Sequence, residues 1–212
     1  MTSRERYGKV IEWFEQTMPD PRTELHYRNP FELLVAVILS AQCTDARVNI
    51  VTPPLFEKYP TAEALAVADI EDIKEFIKSV TFPNNKARSL KGMAQMLVEE
   101  FGGEVPDNID DLTRIPGVGR KTANVMLSVV FGKAAMAVDT HVFRVSERIG
   151  LTKGSKNPVQ TENTLTQHIP TEKLSTAHHW LILHGRYVCK ARKPLCMECG
   201  LTEVCEYFKK EV

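Results

Sequence analysis

Arg114 to Leu127 reads RIPGVGRKTANVML. Pro116, Gly117 and Gly119 interrupt the chain, and a strongly helical run follows at once. Proline fixes one φ angle and both glycines accept positive φ, so the segment predicts a tight hairpin that hands over to a helix near Val118. Leu112, Ile115, Val118 and Ala123 are spaced to pack the preceding helix against the following one. The first amides of a helix have no intrahelical acceptor and sit at the positive end of its dipole. With glycines leaving the backbone bare, Gly117, Val118, Gly119 and Arg120 form a candidate seat for a phosphate, one that ignores base sequence.

Outward from this hairpin the apolar spacing stays helical. Val10, Ile11, Trp13 and Phe14 share one face, as do Ile70, Ile73, Phe76 and Ile77, and then Leu90, Met93, Met96 and Leu97. Further helices are predicted over Ala123 to Phe131, Val142 to Ile149 and Leu174 to Leu183, so the fold class is all-α, with short connections between antiparallel helices. Leu33 to Leu39 is apolar on every side and reads as a helix buried all round. The polar turn that ends it, Ser40 to Asp45, offers Thr44 or Asp45 as the next cap.

At 212 residues the chain can bury a sizeable core in one large domain or two small ones. Its 27 basic residues balance 27 acidic ones, which excludes a uniformly basic nucleic-acid binder and makes any such surface local. Arg186, Lys190, Arg192 and Lys193 are the local candidate, with no acid between them. The longest apolar run, Leu33 to Ala41, is too short to cross a bilayer, so no membrane partner is expected. The N-terminus lacks a secretory apolar region and carries Glu5 and Glu12, which predicts a cytoplasmic protein.

Lys121 falls in the first turn of the helix that follows the hairpin. The dipole and partial burial there both favour the neutral amine, a nucleophile able to form a Schiff base, and beside a bound phosphodiester it would face a sugar carbon. Asp139 opens the run VDTHVFRV as a helix cap, and a carboxylate fixed by backbone amides suits the stabilisation of a cationic sugar or the handling of protons. His141, two residues on, reads as a packing residue.

L-x-x-I-P-G-V-G-x-K-T-A resembles the helix-hairpin-helix motif of the DNA glycosylases, and Lys121 is similar to the lysine of the endonuclease III branch. The run D-T-H-x-x-R from Asp139 resembles that family too. The resemblance implies a six-helix domain holding the hairpin, residues 23–134, and a helical iron-sulfur domain, residues 1–22 and 135–212, with a DNA groove between them. It implies a monomeric, DNA-associated base excision repair enzyme acting on duplex DNA with damaged pyrimidines or abasic sites. Lys121 would attack the anomeric carbon of a flipped-out nucleotide, Asp139 would assist, and β-elimination would nick the strand. S-A-Q-C-T-D matches the family's loop that fills the vacated gap, which assigns Gln42 as a wedge. The loop Thr81 to Ala87 would supply a second wedge, Phe82, although its Phe-Pro pair departs from the family's glycine and aromatic pattern.

The last candidate site is C-x6-C-x2-C-x5-C, formed by Cys189, Cys196, Cys199 and Cys205. Four thiolates in a reducing compartment signal metal, and zinc and an iron-sulfur cluster both fit the residues. The spacing resembles the 4Fe-4S loop of endonuclease III, and that resemblance implies the cluster. Lys190, Arg192 and Lys193 would then lie on a stiffened loop facing the DNA backbone. Cys43, outside this set, reads as a small buried residue. Two rival readings are a monofunctional mismatch glycosylase, which typically lacks lysine at the position of Lys121, and a noncatalytic DNA-binding module built on the same hairpin.

Overall fold

The computed structural model describes residues 1–211. Among them there is no β-strand, and twelve α-helices follow one another. They are α1 Ser3–Thr17, α2 Pro30–Ser40, α3 Asp45–Lys58, α4 Ala62–Ala66, α5 Ile70–Ile77 and α6 Pro83–Phe101. After these come α7 Ile109–Arg114, α8 Arg120–Val129, α9 Thr140–Ile149, α10 Pro158–His168, α11 Leu174–Tyr187 and α12 Glu206–Glu211. No helix among the described residues is long and apolar enough to cross a membrane. The chain divides into two compact units, Glu24–Phe131 and Met1–Thr23 joined with the chain from Gly132 onward.

The 24–131 unit is built around α2. Asn29 caps its start, Pro30 sits in its first turn, and every residue from Phe31 to Leu39 is buried; the all-round apolar pattern predicts this for Leu33 to Leu39, whereas Glu32 is buried with its carboxylate accepting from Arg28. Full burial of each leucine is worth roughly 1.5–3 kcal/mol, so this short helix carries a large share of the unit's stability. The helices α3, α6 and α8 pack on it, and α4 and α5 pack on α6. Thr44, not Asp45, caps α3. Cys43 is half-buried rather than buried, because it belongs to the turn between α2 and α3 and not to the core helix.

The predicted hairpin joins α7 to α8, and two details differ from expectation. The helix begins at Arg120, with Gly119 as its cap, two residues later than Val118. Only Gly117 uses positive φ, at 83°. A Cβ there would also lie 2.9 Å from the Cβ of Ser89 on α6, so glycine is required for conformation and for room. Gly119 has φ −91° and an added Cβ would meet nothing within 4 Å, so neither strain nor crowding within the protein demands glycine there.

In the other unit, α9 packs against α10, α11 and α12. Val142, Val145 and Ile149 of α9 join Val10 and Phe14 of α1, Leu165 of α10 and Trp180 of α11 in one core. Polar groups tie distant segments to it: Tyr7 donates to the Leu151 carbonyl at 2.8 Å and Trp180 Nε1 to the Met18 carbonyl at 2.7 Å. The N-terminal helix is thereby bound into the C-terminal half of the chain.

Candidate functional site

Most helix starts in the chain are closed by a Thr, Asn or Asp side chain, as at Thr2, Asn29, Asn108 and Asn157. In the 24–131 unit, α6 and α8 are the helices with no side-chain cap, and their caps are Phe82 and Gly119, both of them sequence-predicted site residues. The first turn of α8 has no acidic residue and begins with Arg120 and Lys121. Two cations at the positive end of a helix oppose its dipole. Arg120 is exposed and Lys121 half-buried. Val118 does not fit the expected seat: its side chain is buried, and its amide donates to the Ile115 carbonyl at 3.0 Å. It anchors the hairpin in the core, and the chain is exposed again at Gly119 and Arg120.

Asp139 lies in the other unit and caps α9, as its position in the sequence predicts. Its Oδ1 accepts from the amides of His141 and Val142, each at 2.8 Å. The side chain is half-exposed, and no hydrogen bond to its Oδ2 is formed by the described residues. One oxygen is therefore fixed by the backbone.

Gln42 and Phe82, the two wedge candidates, line one shallow groove with Gly117, Lys86, Asn85 and Ser89. Gln42 has φ 54° and Phe82 φ 53°, and Phe82 is 60% exposed. The other non-glycine residue with positive φ among those described is Lys193. Left-handed backbone costs such residues roughly 1–3 kcal/mol and concentrates at functional sites, and all three are DNA-facing candidates on sequence grounds.

The four cysteines line one pocket with Ile149, Leu195, Leu201 and Phe208, with an empty space of about 360 Å³ that includes its mouth. Among the described residues no three ligand-type side chains converge as they would on one ion; the thiols ring a space instead. Burial pushes the Cys199 and Cys205 thiols up, partly offset by backbone hydrogen bonds and reinforced by the neighbouring thiols, so a positively charged guest would favour their thiolate forms. The donor set and its apolar wall fit a thiolate-ligated cluster. His184, held neutral by burial with its pKa pushed down to about 4, places Nε2 3.6 Å from Cys199 Sγ.

Two arginines shape this loop. Arg144 donates to the carbonyls of Gly185 at 2.9 Å and Cys189 at 3.2 Å. Arg148, one turn later on α9, donates to the carbonyls of Lys190 at 2.7 Å and Ala191 at 3.1 Å, and to Cys189 Sγ at 3.7 Å. Lys190, Arg192 and Lys193 are left exposed on the loop they hold, while Arg186 is half-buried on α11. Arg148 escaped the sequence reading; its one signal was the i,i+4 spacing from Arg144.

Residues 35–171 match the HhH-GPD superfamily of base excision DNA repair proteins, and residues 189–205 match the iron-sulfur binding domain of endonuclease III. Endonuclease III of Rickettsia conorii is 51% identical over 201 residues, 95% of each chain. The chain belongs to the endonuclease III family. A trapped endonuclease III–DNA covalent intermediate superimposes with a TM-score of 0.94 at 46% identity, covering 99% of both chains. A thermostable thymine-DNA glycosylase follows at 0.85 and 27% identity, covering 98% of this chain and 97% of that one. The segment from Cys189 to Cys205 is the chain's iron-sulfur binding domain, and a 4Fe-4S cluster is the cofactor. Cys189, Cys196, Cys199 and Cys205 would hold the cluster, which would cross-link the segment and so stiffen the basic loop.

Proposed function

We propose that this member of the endonuclease III family, a bifunctional DNA glycosylase and AP lyase of base excision repair, removes oxidised pyrimidines from duplex DNA through Lys121. The observation that supports it most is the helix start bearing Lys121: uncapped, led by two cations and preceded by a glycine that nothing inside the protein requires. A phosphate of the lesion strand seated on the backbone from Gly119 would bring the sugar to the amine.

The lone pair of Lys121 Nζ forms a bond to C1′ of the flipped-out nucleotide as the glycosidic bond breaks and the base leaves with that electron pair, taking up a proton. The free Oδ2 of Asp139 stabilises the cationic sugar and relays the proton lost by the amine. Opening of the sugar ring gives an imine, loss of a C2′ proton expels the 3′ phosphate, and hydrolysis frees the lysine. Gln42 and Phe82 fill the gap left in the duplex. The hairpin domain, 23–134, does the chemistry as part of a monomer. The cluster domain, 1–22 and 135–212, contributes Asp139 and lays Arg186, Lys190, Arg192 and Lys193 along the backbone.

Borohydride reduction in the presence of duplex DNA carrying an oxidised pyrimidine tests this reading. A covalent complex is expected with the natural chain and none with Lys121→Gln, whose fold and cluster absorbance stay intact. Trapping by the Gln variant at the natural rate would place the nucleophile elsewhere, and no trapping on any oxidised pyrimidine, with trapping on abasic DNA, would remove that substrate class.

A further inference from the structure

Lys86 is a lysine in a core position. It shares the buried stripe of α6 with Leu90, Met93 and Leu97, and is itself only 7% exposed. Its ammonium has three hydrogens, and three acceptors surround it: the Leu39 carbonyl at 2.8 Å, the Ala41 carbonyl at 2.7 Å and Thr81 Oγ1 at 3.1 Å. The Thr81 hydroxyl in turn donates to the Gln42 carbonyl at 2.9 Å. The first two acceptors belong to the C-terminal end of α2, where a cation is favoured by the helix dipole. Burial pulls the amine's pKa down while nearby Cys43 pulls it back up, and neither changes the geometry.

These bonds join the loop carrying Gln42 to the loop carrying Phe82, about forty residues apart in sequence. Both of those residues have a left-handed backbone that would relax if the loop were released. We propose that Lys86 is a positioning residue: through Thr81 it locks the two loops into a single two-pronged insert, so that Gln42 and Phe82 enter the duplex together. The proposal rests on the wedge reading given above. A buried hydrophobe would fill the stripe of α6 equally well; what lysine adds is a charged donor reaching three acceptors on two loops.

The test uses full-length holoenzyme and duplex DNA with an abasic-site analogue opposite 2-aminopurine, whose fluorescence rises when a wedge unstacks it. Lys86→Met and Thr81→Val should each suppress the rise. On a natural abasic site they should also lower the ratio of duplex to single-strand nicking by roughly tenfold, since a single strand offers no stack to open. An unchanged rise, or equal losses on duplex and single strand, would overturn the clamp. Should Lys86→Met fail to fold, Thr81→Val, which removes only the exposed relay hydroxyl, carries the test alone. Gln42→Ala and Phe82→Ala separate the two ideas: if they leave the fluorescence unchanged the wedge reading itself fails, and if they suppress it while the clamp variants do not, only the clamp fails.

Discussion

The helices α8 and α9 are each ten residues long and begin in opposite ways. The start of α9 is closed by its own carboxylate, with Asp139 bonded to two amides. The start of α8 has no side-chain cap hydrogen bond and carries Arg120 and Lys121 in the first turn. A closed start contributes to the chain's own stability and freezes a carboxylate; an open one withholds that stability and keeps a place for an anion. Successive helices of one chain thus use the same end groups for two purposes, a fixed acid at one start and a lysine beside an uncapped start at the other.

The contrast between the two starts breaks most visibly at Asp139. Asparagine caps as well as aspartate but has no charge, so Asp139→Asn should lower lesion excision about 100-fold or more while leaving thermal stability nearly unchanged. Asp139→Ala should lose the same activity and about 1 kcal/mol of stability besides, read by denaturant unfolding. If Asn retains full activity, the carboxylate is only a cap.

Closing the open start should have the reverse signature. Gly119→Asp places a capping carboxylate where the backbone already has ordinary φ and open space. Stability should rise by a few tenths of a kcal/mol, while affinity for duplex DNA falls roughly tenfold as the carboxylate occupies and repels the phosphate seat. Stability and affinity falling together would show that the start was not being kept for a ligand. The smallest effect is expected at the cluster loop. Arg192→Gln with Lys193→Gln should weaken binding a few-fold and flatten the salt dependence by about 0.9 in slope for each phosphate no longer neutralised; an unchanged slope would remove that loop from the interface.

Much of this was legible in the sequence because it is local. The buried helix Phe31 to Leu39, the Asp139 cap and the four-cysteine spacing are each written within about twenty residues. The hairpin was legible too, but glycine identity alone did not say that Gly117 alone takes positive φ, or that the Val118 amide is spent inside the turn. What stayed hidden depends on partners far along the chain. Lys86 sat in an apolar stripe, yet its acceptors on α2 lie more than forty residues away, and Arg148 reads as an ordinary helix arginine until the carbonyls of Lys190 and Ala191 meet it. For Lys86 the one available sign was a charge at the period of a core face.

The amine of Lys121, in the first turn of α8, is the group proposed to form the bond to DNA. Borohydride-trapped protein, digested and mapped by mass spectrometry, tests this directly. The expected result is the reduced sugar adduct on Lys121 alone. An adduct on the amine of Met1, on Lys86 or on any other lysine, with Lys121 unmodified, would contradict it.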